Sequence, residues 1–155
     1  MKRLLLSLLA SAVLAQPALA LSCAPADLSR DFRAAAESED TWVVVEGVVT
    51  PDRASLPTSS DDKGVPRTLN ARLKGMSLGA GGFVNEFDAD ITVNVTCAGP
   101  WCGSVPSGKV LAFLRQHDGS LVMTSGPCPA MLYANPTDAQ KAEIVACVTE
   151  GGCGQ

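Results

Sequence analysis

Histidine is almost missing from this chain: His117 is the only one among 155 residues. No Cys-x-x-Cys occurs either, so the ligand spacings of a mixed Cys/His or four-cysteine zinc site are lacking. Ser-His-Asp chemistry would need His117 as its base, and that residue falls in a His-Asp-Gly stretch that reads as a hairpin turn. No serine reads as the nucleophile of a Gly-x-Ser-x-Gly elbow. Aromatic residues make up only 5% of the sequence. A saccharide site wants exposed rings, and here Trp101 is the one candidate on a loop, with Trp42 and Tyr133 weaker; a lone tryptophan there more often caps a barrel end. Long apolar runs are also scarce. Leu4 to Leu14 is about a dozen residues, short of the roughly 20 that a membrane helix needs.

That run has a different meaning. Met1-Lys2-Arg3 supplies a positive start, the apolar run follows, and Ala18-Leu19-Ala20 is a small-x-small cleavage site, so residues 1–20 read as a secretory signal peptide. The expected mature chain begins at Leu21, with a cut after Ser22 as the alternative. Cys23 is not read as a lipid anchor, because the position three before it is Ala20 and not leucine. The protein is therefore expected to be secreted or periplasmic, with residues 21–155 forming a single domain. Lys2 and Arg3 leave with the signal, so 10 of the 12 basic residues remain against 16 acids, a net charge of −6. This acidity disfavours nucleic acid and an anionic membrane as partners.

Six cysteines lie in the mature part: Cys23, Cys97, Cys102, Cys128, Cys147 and Cys153. An even count in a small exported domain reads as three disulfides, with 15 formal connectivities and no metal or other cofactor implied.

Hydrophobic periodicity predicts a short helix over Asp27–Ser38 (Leu28, Phe32 and Ala35 or Ala36 inward), then five strands. These are Thr41–Thr50, buried on both faces in its middle; Thr68–Leu78, with a bulge at Gly75; Phe83–Cys97, with Ile91, Val93 and Val95 on one face; Lys109–Arg115; and Ser120–Thr124. Residues 51–66 are rich in proline, serine and acid and read as a long flexible loop. Gly126-Pro-Cys-Pro129 is expected to close the sheet, and Thr137 to cap a final helix through Cys147 with Ala139, Ala142, Ile144 or Val145 and Ala146 toward the core, ended by Gly151-Gly152. Gly79-Ala-Gly-Gly82 reads as a turn rather than a phosphate loop, since no Lys-Ser/Thr follows. Asp88 and Asp90 share a strand face and Asp61 and Asp62 share the loop; both pairs read as solvated acids rather than a glycosidase pair. The expected fold is all-β with flanking helices, a small closed or partly open barrel or a sandwich.

Cys102-Gly103, Val110-Leu-Ala-Phe-Leu114, Asp118-Gly-Ser-Leu121 and Cys128, in that order, resemble the second half of the netrin-like domain of the tissue inhibitors of metalloproteinases. Cys23-Ala-Pro25, the helix and the valine-rich first strand resemble its front half. The resemblance implies a five-stranded, disulfide-stapled OB-like barrel and a Cys23 to Cys128 bridge. It also implies a departure: the family begins Cys-x-Cys, and here the triplet is Leu21-Ser22-Cys23, so the first cysteine is absent and Cys102 loses its family partner. Cys97 is the available substitute, which leaves Cys147 for Cys153. In the family the amine and carbonyl of the first residue coordinate a protease zinc. The function expected here is a non-enzymatic protein- or ligand-binding module with Leu21, Ser22 and Trp101 as candidate contacts and an exported or periplasmic protein as partner. Metalloproteinase inhibition through the N-terminus is the alternative, with saccharide binding or hydrolysis behind it.

Overall fold

The computed structural model describes residues 21–53, 67–106, 108–151 and 153. The proposed signal peptide, most of the proline-rich loop with Asp61 and Asp62, and Gly152 lie outside the described residues.

Helix α1 (Leu28–Glu37) starts where Asp27 accepts a hydrogen bond from the Arg30 N–H at 2.8 Å, the usual way a short acid satisfies the first orphan donors. It buries Leu28, Asp31 and Ala35, while Phe32 is half-buried, so the inward stripe is turned from the expected one and carries a carboxylate. Strands β1 (Thr41–Pro51), β2 (Arg67–Gly79) and β3 (Gly82–Val95) form an antiparallel meander. The hairpin β4 (Cys97–Ala98) and β5 (Trp101–Cys102) follows, then β6 (Lys109–His117) and β7 (Ser120–Ser125). The β6–β7 turn has Asp118 and Gly119 both at positive φ (48° and 76°), the conformation for which Asp-Gly is selected. A strand not anticipated, β8 (Leu132–Ala134), pairs with β6; Gly126–Pro129 only leads to it.

The pairings run β1-β2-β3-β7-β6, and β6 pairs again with β1. The circuit is uneven. β2 and β3 pair from Arg67↔Val95 to Gly79↔Gly82, whereas the parallel β3–β7 contact covers only Thr92–Val95. Val45, Val49, Leu73, Ile91, Val93, Val95, Val110, Ala112, Leu114 and Met123 point inside this circuit and form one core. The opposite faces of β1 and β6, through Val44, Leu111 and Phe113, pack with Leu28, Ala35, Tyr133 and Ile144 in a second core under the helices. That double burial is why Val110–Leu114 is apolar without alternation.

Gly47 and Gly75 face each other across β1 and β2. A Cβ on Gly75 would stand 2.0 Å from the Glu46 carbonyl oxygen, so glycine here permits close approach of two backbones. The bulge expected at Gly75 is displaced: register shifts between Ser77 and Leu78.

Helix α2 (Asp138–Thr149) begins with a capping box, Thr137 and Gln140 each bonding the other's backbone. It buries Ile144 and Cys147; Ala139 and Ala142, expected inward, are exposed, and Ala146 is half-buried. Disulfides join Cys23 to Cys128, Cys97 to Cys102 and Cys147 to Cys153, with Cα separations of 5.3, 4.0 and 4.0 Å. Three such bonds fit an oxidising compartment. Among the described residues no helix is long and apolar enough to cross a membrane.

Candidate functional site

Two of the three disulfides meet at one end of the molecule. Cys97 and Cys102 are directly paired across β4 and β5, with Gly99 at φ 58° in the turn between them, so the bond locks a two-residue ribbon into a rigid tip. The tip is rooted in the main sheet. The Thr96 N–H donates to the Ser125 carbonyl and the Gly103 N–H to the Thr96 carbonyl, each at 2.9 Å. Gly103 is held so closely that a Cβ would fall 2.1 Å from the Ser125 oxygen. Ser125, itself buried, donates through Oγ to the Ser104 carbonyl at 2.7 Å.

Between this tip and the chain leaving β7 lies a cleft of about 210 Å³, lined by Cys102, Gly103, Ser104, Pro106, Pro127 and Cys128 among others. Hydroxyls and carbonyls are its polar groups; none of its described lining side chains titrates. Cys23 is bonded to Cys128 at its rim. Leu21 and Ser22 therefore lie within about 7 Å of the Cys23 Cα, the reach of two extended residues, and both are exposed. Trp101, next to Cys102, is 41% exposed. Leu21 and Ser22 thus sit beside the Cys23–Cys128 bridge, and Trp101 beside Cys102 of the Cys97–Cys102 bridge; Cys102 and Cys128 both line the cleft, and Leu21, Ser22 and Trp101 do not.

A buried carboxylate, which sequence reasoning missed, braces this end. Asp31, 4% exposed, accepts from the Tyr133 hydroxyl at 2.5 Å, from the Met131 N–H at 2.7 Å and from the Arg30 guanidinium at 3.0 Å. These bonds tie α1, which carries the Cys23 segment, to the stretch that runs from Cys128 into β8. Burial first, and then the Asp31 carboxylate, push the Tyr133 hydroxyl pKa well above its ordinary value. Tyr133 is thereby a core residue and not an exposed ring. Trp42 is half-buried and donates from Nε1 to Ser38 Oγ at 2.7 Å. An acid at the i+3 position from Leu28, inside an apolar stripe, was the signal for Asp31.

The other candidates are dispersed. Asp88 and Asp90 both bind Arg72, at 2.7 and 3.1 Å, and this guanidinium holds the Asp88 carboxyl below its usual range. His117 is exposed on β6 and faces the neighbouring Asp118 at 3.3 Å. Gly75-Met76-Ser77-Leu78-Gly79 carries the spacing of a nucleophile elbow, overlooked in the sequence reading. Yet Ser77 lies inside β2, opposite Asn85, and not on the strand-to-helix turn that chemistry requires. Among the described residues no group of three His, Cys, Asp or Glu side chains is placed to hold a metal ion. Comparisons with protein-family models, curated proteins and solved structures find no match.

Proposed function

We propose that this protein is an exported, non-enzymatic binding module of the netrin-like, OB-like type, which engages a secreted or periplasmic protein through its disulfide end. The observation that carries the reading is that Leu21 and Trp101 are both exposed and lie within two residues of Cys23 and Cys102, whose two disulfides border one cleft without titratable side chains. An exposed aromatic on a stapled tip loses little conformational entropy when it is buried by a partner, which is the economy of a binding hot spot. The barrel assignment rests on the circuit β1-β2-β3-β7-β6-β1 with its one parallel contact, together with the Cys23–Cys128 bridge that the family resemblance implies. Export rests on the signal-like first 20 residues and the three disulfides.

Metalloproteinase inhibition is the second reading, favoured by one feature: the Cys23–Cys128 bridge would hold Cys23 as a tethered first residue if cleavage followed Ser22. N-terminal sequencing of the exported protein, followed by assay against a panel of zinc proteases, separates the two. A Leu21 start with no inhibition supports the general binding module. A Cys23 start with inhibition replaces it by the inhibitor. For the binding role itself, the exported protein is immobilised and used to capture partners from the secreted or periplasmic fraction, wild type against Trp101→Ala. Loss of a partner with Trp101→Ala is the supporting result, and an unchanged set of partners reduces Trp101 to packing.

A further inference from the structure

Among the described residues, one side of the β3 backbone has no strand partner over most of its length. Its ladder with β2 runs from Val95 to Gly82, but β7 covers its other side only from Thr92 to Val95. From Phe83 to Ile91 no described element hydrogen-bonds to that second side. Helix α2 packs at the turn end of β3, where Val145 Cγ2 lies 3.6 Å from the place of a Cβ on Gly82 and Phe83 joins the cluster around Ile144. Every second residue of this segment thus turns an N–H and a C=O outward, a template for an added strand. Where β3 parts from β7 a groove of about 810 Å³ opens between Ala89–Thr92 and Gly119–Leu121, so the edge is accessible at that end as well.

The side chains on the edge say what would fit. Glu86, Asp88 and Asp90 share a strand face; Val84, 59% exposed, is the residue left without a β2 partner where the register shifts, and the regular edge begins after it. On the β2 side the acids meet cations, Lys74 opposite Asp88 and Arg72 opposite Asp90, whereas Glu86 has Met76 opposite it. Among the described residues the ion pairs of Asp88 and Asp90 are with Arg72 and Lys74 of β2, and Glu86 has none. A second copy of this chain is a poor occupant: antiparallel pairing centred on Phe87 would set Glu86 against Asp88 twice, and like charges directly opposed are unfavourable.

We propose that the free edge of β3, Asn85 to Asp90, is a second docking site, which takes an extended segment of a partner protein with Lys or Arg at alternate positions. Main-chain ladder bonds give the affinity, and the alternating cations pair with Glu86, Asp88 and Asp90. The acids exclude self-association while they select the partner. This site stands at the other end of β3 from the Cys97–Cys102 tip and does not depend on it.

The test uses a fluorescently labelled peptide alternating lysine with valine, the fully N-methylated form of that peptide, and a glutamate–valine analogue, titrated into the intact protein and followed by anisotropy. Saturable binding of the first peptide alone, with slowed amide hydrogen exchange over residues 85–90, is the expected result. Glu86→Gln should weaken binding by up to about fivefold, and Glu86→Lys by more, since one cross-strand charge pair is lost and then reversed. Glu86 is exposed and, among the described residues, its side chain forms no hydrogen bond or ion pair, so both variants keep the fold, which circular dichroism checks. Equal binding of the N-methylated peptide, equal binding of the glutamate peptide, or no saturable binding would each overturn the proposal.

Discussion

Removing the Cys23–Cys128 bridge should cost this protein more than removing either of its other disulfides, and the difference can be worked out. The two cysteines are 105 residues apart, against 5 for Cys97–Cys102 and 6 for Cys147–Cys153. On the chain-entropy relation the long loop contributes about 4.8 kcal/mol at 25 °C and each short loop about 2.1–2.2 kcal/mol. Cys23 is exposed and its flanking residues form no regular structure, so its replacement loses few contacts and leaves the loop entropy dominant. The perturbation is the double variant Cys23→Ser with Cys128→Ser, compared with Cys97→Ser and Cys102→Ser. With a urea m-value of about 2 kcal/mol/M, the first pair should lower the unfolding midpoint by about 2.4 M and the second by about 1 M. Equilibrium urea unfolding followed by far-ultraviolet circular dichroism reads both. Equal losses in the two variants would refute the reasoning, because they would mean that Cys23 does not close the long loop in the folded protein.

Three further outcomes follow from particular contacts. Asp31→Ala orphans the Met131 N–H and the Tyr133 hydroxyl in a buried site and should destabilise the fold by about 1–3 kcal/mol for each donor; the loss should shrink when Tyr133→Phe is added, as a double-mutant cycle in chemical denaturation would measure. Tyr133 has a raised pKa, so its contribution is complete below the unfolded value of 10.0 and is lost as pH rises beyond it. A stability profile across alkaline pH should therefore fall less steeply for Tyr133→Phe than for wild type. Gly75→Ala drives a Cβ into the Glu46 carbonyl and should separate β1 from β2 locally, costing at least about 1–3 kcal/mol by thermal unfolding, whereas Gly119→Ala meets no neighbouring atom and costs only the strain of its positive φ.

Much of the architecture was legible because period and turn chemistry agreed. Ile91, Val93 and Val95 alternate cleanly, and all three are buried. Asp118-Gly119 has the residues its turn demands, and Thr137 caps the helix it was expected to cap. The misses have physical reasons. β8 is three residues long, too short to show a period, and is held in place by β6 rather than by its own propensity. Gly75 looked like a bulge because a glycine inside a strand marks either a bulge or a close approach, and only the partner strand decides between them. Ala139 and Ala142 are good helix formers, and small side chains carry little information about which face is buried. At the disulfide end, Trp101 stood out by scarcity alone. Asp31 carried a weaker signal, its place three residues after Leu28 in the apolar stripe, because an acid in the first turn of a helix is ordinary and its role comes from partners 100 and 102 residues away, Met131 and Tyr133.

The central claim is that the end carrying Leu21 and Trp101 docks a protein. Capture from the secreted or periplasmic fraction with wild type and with Trp101→Ala, an exposed substitution that should leave the unfolding midpoint unchanged, tests it most directly. The account predicts a partner that is retained by wild type and lost with Trp101→Ala, and identical sets of captured proteins would contradict it.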